Sequence, residues 1–297
     1  MLYPQSNPFR QCINLSGFWD FRLDPDRQGE GAGWDKGFTG GRPIAVPASW
    51  NDQFEHWRDY LGLAWYQTRF DLPWGWKERR VHVRFSSVNY LADVWLNGVH
   101  LGQHEGGHLP FEFDVTPHVR PEGNLLVVRV EGELAADRVP PGNIPPDPLD
   151  AFVAHPPYPT ASFDFFPFCG IQRPVLLYAA PPDGIEDLTV VTEIEGGAGL
   201  VRIRLVAGQA ATARLTLRRH GAELSAEVQT TEEVVLKVAD AALWAPGSPN
   251  LYDLTVELVG SGGVFDRYSL PIGIRTVAVE GDALLLNGQP ISLRGFG

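Results

Sequence analysis

The chain has 297 residues, 44% of them apolar, which is enough for two domains with folded cores and excludes general disorder. Its 32 glycines and 25 prolines follow no period, so they indicate many turns and exclude collagen and long helices. The net charge of −12 disfavours nonspecific binding to nucleic acid or anionic lipid.

No apolar run approaches the roughly 18 residues that a membrane helix needs. The first ten residues, MLYPQSNPFR, lack the apolar stretch of a secretory signal, so a cytoplasmic protein is expected. Cys12 and Cys169 form neither a disulfide framework nor a zinc ligand set. They read as reduced thiols, with a single pairing as the alternative.

The first third reads as short strands broken by turns. Residues 17–23 (GFWDFRL) alternate loosely, a glycine-rich stretch runs over 29–41, and strands follow at 65–70 and 81–85. In the last of these Val81, Val83 and Phe85 point one way and His82 and Arg84 the other, the period of a half-buried strand. Residues 92–101 form a hairpin, because Asn97-Gly98 suits a type I′ turn with positive φ at both central positions. Further strands fall at 111–115 and 124–131. Trp19, Trp65 and Trp95 are expected to pack the core of this domain.

The run at 140–159 holds eight prolines in twenty residues and can form neither helix nor central strand. It reads as a long loop wrapped over the domain, with a linker as the alternative. Apolar sequence resumes over 163–169, and 175–178 is the returning strand.

A boundary follows at 179–184 (AAPPDG). Strands are then expected at 185–194, 199–206, 211–218, 232–238, 251–259 and 264–270, the rhythm of an immunoglobulin-like sandwich. A third element begins near Ile274: strands at 274–280 and 283–286, an Asn287-Gly288 turn, and a returning strand at 291–293. The chain stops at Gly297 without a polar tail, which reads as a truncation.

Few residues carry a chemical signature on their own. A glycosidase needs two carboxylates held across the scissile bond, and no such pair is evident; Glu186-Asp187 and Glu232-Glu233 read as solvated edges. His100, His104 and His108 recur at intervals that gather metal ligands only on a helix, and this segment is turn-rich, so no metal and no cofactor is expected. The phosphate-loop and dinucleotide fingerprints are absent. One cluster stands out at 162–168 (SFDFFPF). Asp164 among aromatic rings can accept hydrogen bonds from sugar hydroxyls while the rings cover the sugar's apolar face. The alternative is a core strand with Asp164 capping a turn.

Several stretches together resemble the N-terminal half of the family 2 glycoside hydrolases, and most closely the β-glucuronidases among them. They are LSGFW at 15–19, AVPASWNDQF at 45–54, WYQ at 65–67, VWLNG at 94–98, GGHLPF at 106–111 and FDVT at 113–116. DFF at 164–166, GIQR at 170–173, GIR at 273–275, LNG at 286–288 and RGFG at 294–297 complete the set.

The resemblance implies an all-β chain: a jelly-roll, galactose-binding-like sandwich over 1–181 and an immunoglobulin-like sandwich over 182–274. Residues 275–297 would open a (β/α)8 barrel that is truncated here. It implies a retaining β-glucuronidase whose two catalytic glutamates lie beyond Gly297, so the chain alone is expected to be inactive. Asp164 would contact a sugar hydroxyl, and Phe165, Phe166 and Phe168 would form the pocket rim. The expected partner is a glucuronide or related glycoside, with no nucleic acid and no membrane, in a full-length homo-oligomer, either dimer or tetramer. A β-galacturonidase or β-galactosidase of the same family, and a stand-alone carbohydrate-binding module, are the alternatives. After Asp164 the sequence departs from the family's usual Asn-Tyr-Ala-Gly and reads Pro167-Phe168-Cys169-Gly170, which alters the rim.

Overall fold

A computed structural model of the protein describes residues 1–142, 166–230 and 232–295. They build antiparallel sheets, and among them the helical elements are the four-residue Trp50–Gln53 and short 3-10 turns. Two compact units result, Cys12–Ala179 and a second made of Met1–Gln11 with Ala180–Gly297.

In the Cys12–Ala179 unit a six-stranded sheet runs in the order Arg42–Val46, Gly17–Leu23, Leu63–Phe70, Asn124–Glu131, Leu91–Leu96, Val99–Glu105. A four-stranded sheet orders Gln11–Asn14, Val175–Ala180, Arg80–Phe85, Phe111–Asp114. Period-two alternation sends Phe21, Tyr66, Val94 and Val128 from the first sheet, and Val81, Val83, Phe85 and Leu177 from the second, into one shared core. The Asn97-Gly98 turn has φ of 54° and 82°, the signs a type I′ hairpin requires.

Trp19 lies in that core, but Trp65 and Trp95 do not. Both stand on the opposite face of the six-stranded sheet, stacked at 5.4 Å, with Phe38, Leu125 and Val127. The reason is register: Tyr66 faces the core, so its neighbour Trp65 must face away. The glycine-rich segment closes over this second cluster. Asp24 pins it by accepting from the backbone amides of Gln28 and Gly29 and from Trp65 Nε1. Both tryptophans are therefore buried outside the core that the sequence suggests for them.

In the second unit a three-stranded sheet (Ile185–Glu195, Ala198–Ala207, Val234–Val238) and a four-stranded sheet enclose another core. The four-stranded order is Ala222–Gln229, Thr212–Arg219, Tyr252–Gly260, Gly263–Ile272. Val201, Ile203 and Leu205 meet Leu215, Leu217, Leu254, Val256 and Leu258.

The first eleven residues, which the sequence reading places with the first domain, group with this second unit. Asn7 Nδ2 donates to the Arg267 carbonyl at 2.9 Å, and Leu2 packs against the core. Arg10, 6% exposed, makes a bidentate pair with fully buried Asp266 (Nε to Oδ1 2.8 Å, Nη2 to Oδ2 2.6 Å). Asp266 also accepts from the Ile185 and Arg267 amides, so every charge in the pair has its hydrogen bonds.

A small sheet of Val277–Glu280, Ala283–Leu286 and Gln289–Pro290 ends the described chain. The return strand expected at 291–293 is not formed. The return is confined to Gln289–Pro290, and pairing stops after the Ile291 amide bonds the Leu284 carbonyl.

Candidate functional site

Asp164 and Phe165 lie outside the described residues, as do 143–163. Phe166 and Phe168, which follow them, are described and half-buried, and their rings meet at 4.7 Å. A guanidinium, Arg58, lies 5.2 Å from the Phe166 ring centroid. A cavity of about 280 Å³ is lined by Ser87, Asn89, Tyr90, His108, Phe166, Phe168, Gln172 and Arg173.

Two buried asparagines hold this wall together. Asn51 sits in the helical turn after Ser49, whose Oγ caps the turn by accepting the Asn51 amide at 3.1 Å. The Asn51 side chain donates from Nδ2 to the carbonyls of Arg58 and Tyr60, at 2.8 and 2.9 Å. Its Oδ1 accepts the Cys169 amide at 2.9 Å. One side chain thus ties the Arg58 loop to the segment that carries Phe166 and Phe168. Asn89 does the same from the other side: Nδ2 donates to the Phe168 carbonyl at 2.8 Å and Oδ1 accepts the His108 amide at 3.2 Å.

Glycine is required at two places. Gly170 has φ of +108°, and a Cβ there would lie 2.5 Å from the Tyr66 hydroxyl. A Cβ on Gly107 would lie 2.6 Å from the Tyr90 ring, so only glycine lets the His108 turn approach.

The site is dry at its back. Burial pushes the Tyr90 phenol well above its ordinary range, with the neighbouring Cys169 thiol adding to the shift. Its hydroxyl is buried without a hydrogen-bond partner among the described residues, and burial keeps it neutral. Cys169, fully buried, is also pushed up by burial and is inert as a nucleophile. The described lining therefore offers rings, a neutral phenol, an imidazole and a guanidinium. That set can grip a polar ring-shaped ligand, but it contains no pair of carboxylates for acid–base cleavage.

Among the described residues no group of three or more His, Cys, Asp or Glu could hold a metal ion. His100 bonds Asp93 at 3.1 Å, and His104 stacks on Phe111 at 4.2 Å. Among the described residues Cys12 and Cys169 form no disulfide. No helix is long and apolar enough to cross a membrane among the described residues.

Sequence reasoning brought out Phe166 and Phe168 and missed Asn51, Asn89, Tyr90 and His108. Ser49 carried a usable signal as the cap of a helical turn, but nothing in the sequence pointed to the bonds of the Asn51 side chain. Asn89 and His108 carried none, because only the tertiary fold brings them to residue 168.

Residues 12–181 match the family described as glycosyl hydrolases family 2, sugar binding domain, and residues 184–275 match glycosyl hydrolases family 2. The chain is 36% identical to human β-glucuronidase over 328 residues, covering 99% of this chain and 49% of that protein. It is 36% identical to the β-glucuronidase of Paenibacillus borealis, covering 100% of this chain and 51% of that protein. Among solved structures, Ruminococcus gnavus β-glucuronidase in complex with uronic isofagomine superimposes with a TM-score of 0.88 at 34% identity. That match covers 99% of this chain and 50% of the other, and the same enzyme in complex with D-glucuronic acid gives the same TM-score and identity. The chain spans about half the length of the curated relatives it matches.

Proposed function

Since this chain belongs to glycosyl hydrolase family 2, we propose that it is the N-terminal, non-catalytic part of a retaining β-glucuronidase that hydrolyses terminal β-D-glucuronides. The observation that carries this reading is 36% identity to β-glucuronidases across essentially the whole chain. The described geometry is compatible with it: the Phe166 and Phe168 rings, 4.7 Å apart, line a cavity beside the segment that carries Asp164 in the sequence.

In this proposal the Cys12–Ala179 unit is the jelly-roll, galactose-binding-like domain and the strands from Ile185 to Ile272 are the immunoglobulin-like domain. The small sheet from Val277 onward opens the catalytic (β/α)8 barrel. Two glutamates on that barrel do the chemistry. One attacks the anomeric carbon to form a glycosyl-enzyme. The other protonates the leaving oxygen and then activates the water that releases the sugar, so configuration is retained. Asp164 supplies a hydrogen bond to a sugar hydroxyl, with Phe165, Phe166 and Phe168 at the rim. The parent enzyme acts as a homo-oligomer on a glucuronide.

The test is hydrolysis of p-nitrophenyl β-D-glucuronide, β-D-galacturonide and β-D-galactoside by the protein extended to the full length of its relatives, beside the 297-residue chain. The expected result is turnover of the glucuronide by the extended protein and none by the chain alone. Preference for galacturonide or galactoside would replace the substrate assignment. Turnover by the 297-residue chain would overturn its non-catalytic role.

A further inference from the structure

The outer face of the six-stranded sheet carries another concavity, of about 340 Å³, within the Cys12–Ala179 unit. One wall is the 3-10 turn Trp34–Lys36 and the segment continuing to Thr39; the floor is the sheet itself. The charged side chains that line it are Arg22, Lys36 and Arg69, with no acid among them. A local cluster of one sign runs against the chain's net charge of −12.

The site is held in place. Arg22 lies flat on Trp34, its guanidinium carbon 4.0 Å from the ring centroid, and its Nη1 donates to the Thr39 carbonyl at 3.1 Å. Gln67 fixes the floor: Oε1 accepts the Phe38 amide at 2.9 Å and Nε2 donates to the Phe38 carbonyl at 2.9 Å. Asp20 is bonded to Gln67 Nε2 at 3.2 Å and does not line the cavity. Lys36 and Arg69 form no ion pair among the described residues. Arg22, Lys36 and Arg69 give the hollow a positive lining, which favours an anion over a neutral ligand.

We propose that this hollow binds an anionic oligosaccharide, with a carboxylate or sulfate group seated between Arg22, Lys36 and Arg69. Arginine forks match both groups bidentately. The volume exceeds that of a simple ion and suits one sugar unit. A nucleic acid fits less well, because it is held by an extended basic surface that a strongly acidic protein does not offer. The inference goes beyond the proposed function and does not rest on it, since the 297-residue chain is sufficient to test it.

Calorimetric titration of the 297-residue chain tests it, at 50 and 300 mM NaCl. The probes are a hyaluronan tetrasaccharide (carboxylates only), a chondroitin sulfate tetrasaccharide, neutral cellotetraose and sodium sulfate. The expected result is binding of at least one acidic tetrasaccharide, weakened by salt and reduced at least tenfold in Lys36→Gln/Arg69→Gln. These two side chains are exposed, so the variant's melting temperature should match the parent's. Hyaluronan binding identifies the carboxylate as the anchor; binding of the sulfated probe alone identifies the sulfate ester. The proposal is overturned if neither acidic tetrasaccharide binds, if only inorganic sulfate binds, if cellotetraose binds equally well, or if the double variant binds undiminished.

Discussion

Asn51 Oδ1 accepts the backbone amide of Cys169 across 2.9 Å, joining residues 118 positions apart in the chain. Asn51 Nδ2 donates to the Arg58 and Tyr60 carbonyls, so one buried side chain sets the distance between the two loops that flank the Phe166–Phe168 wall. The SWNDQF stretch, which reads as a family signature, is therefore a brace. Gln53 beside it does similar work, exchanging hydrogen bonds with both the amide and the carbonyl of Ala45.

Replacing this brace should be costly. Asn51→Asp keeps an acceptor for Cys169 but turns a donor into a carboxylate oxygen facing the Arg58 and Tyr60 carbonyls. Each buried group left unsatisfied costs about 1–3 kcal/mol. Urea unfolding should show a loss of at least about 2 kcal/mol, confined to the transition that reports the Cys12–Ala179 unit. A variant as stable as the parent would mean that the loops do not depend on Asn51.

The Arg10–Asp266 pair gives a second stability prediction, in the other unit. Asp266→Ala leaves the Arg10 guanidinium buried without its counter-charge, which costs about 3–5 kcal/mol. Deleting the first eleven residues should destabilise the same transition, because it strands Asp266. If chemical denaturation shows the loss in the Cys12–Ala179 transition instead, the assignment of the N-terminal segment to the second unit is wrong.

Stability should fall at alkaline pH. Burial keeps the Cys169 thiol and the Tyr66 and Tyr90 phenols protonated in the fold, and pushes Tyr60 up to about 12. Unfolded, the thiol releases its proton near pH ~8.5 and the phenols near ~10. Above those values the unfolded chain binds fewer protons than the folded one, so unfolding becomes easier as pH rises. The melting temperature should be level from pH 7 to about 8, decline from about 9, and decline more steeply beyond about 10. Cys169→Val should delay the onset and Tyr90→Phe should soften the steeper part. Parallel curves for all three proteins would refute this cause.

Much of the frame was legible in the sequence, because alternation and Asn-Gly turns act locally. Val81, Val83 and Phe85 point inward as their spacing says, and both Asn-Gly pairs close hairpins. Not every strand was noticed. Ala222–Gln229 alternates as strictly, with Ala222, Leu224, Ala226 and Val228 against Glu223, Ser225, Glu227 and Gln229, yet it was passed over; it is an edge strand, largely exposed, and only Ala226 and Val228 pack against the core. Gln11–Asn14 and Arg42–Val46 are short edge strands with mixed burial. Trp65 and Trp95 look like core residues to any composition argument; what sends them to the far face is register against Tyr66 and Val94. The site was legible only where its residues are contiguous. Phe166 and Phe168 could be named, whereas Asn89 and His108 reach the same wall through pairing that composition does not reveal.

The last prediction concerns Asp164 in the full-length protein. If its carboxylate bonds a sugar hydroxyl in the proposed enzyme, Asp164→Ala removes one hydrogen bond to a charged group, worth about 1.5–3 kcal/mol. The value of kcat/KM on a glucuronide should then fall by roughly 10–150-fold. The melting temperature should barely change, because a residue that faces the substrate contributes little to the core. A residue that merely caps a turn in a core strand predicts the reverse, with strong destabilisation and unchanged kcat/KM per folded molecule. Asn51→Asp is the useful comparison, since it should lower the melting temperature first and activity only as a consequence. Measuring both quantities on both variants separates contact with the sugar from support of the fold. A large fall in melting temperature for Asp164→Ala with kcat/KM intact would end its assignment to the sugar.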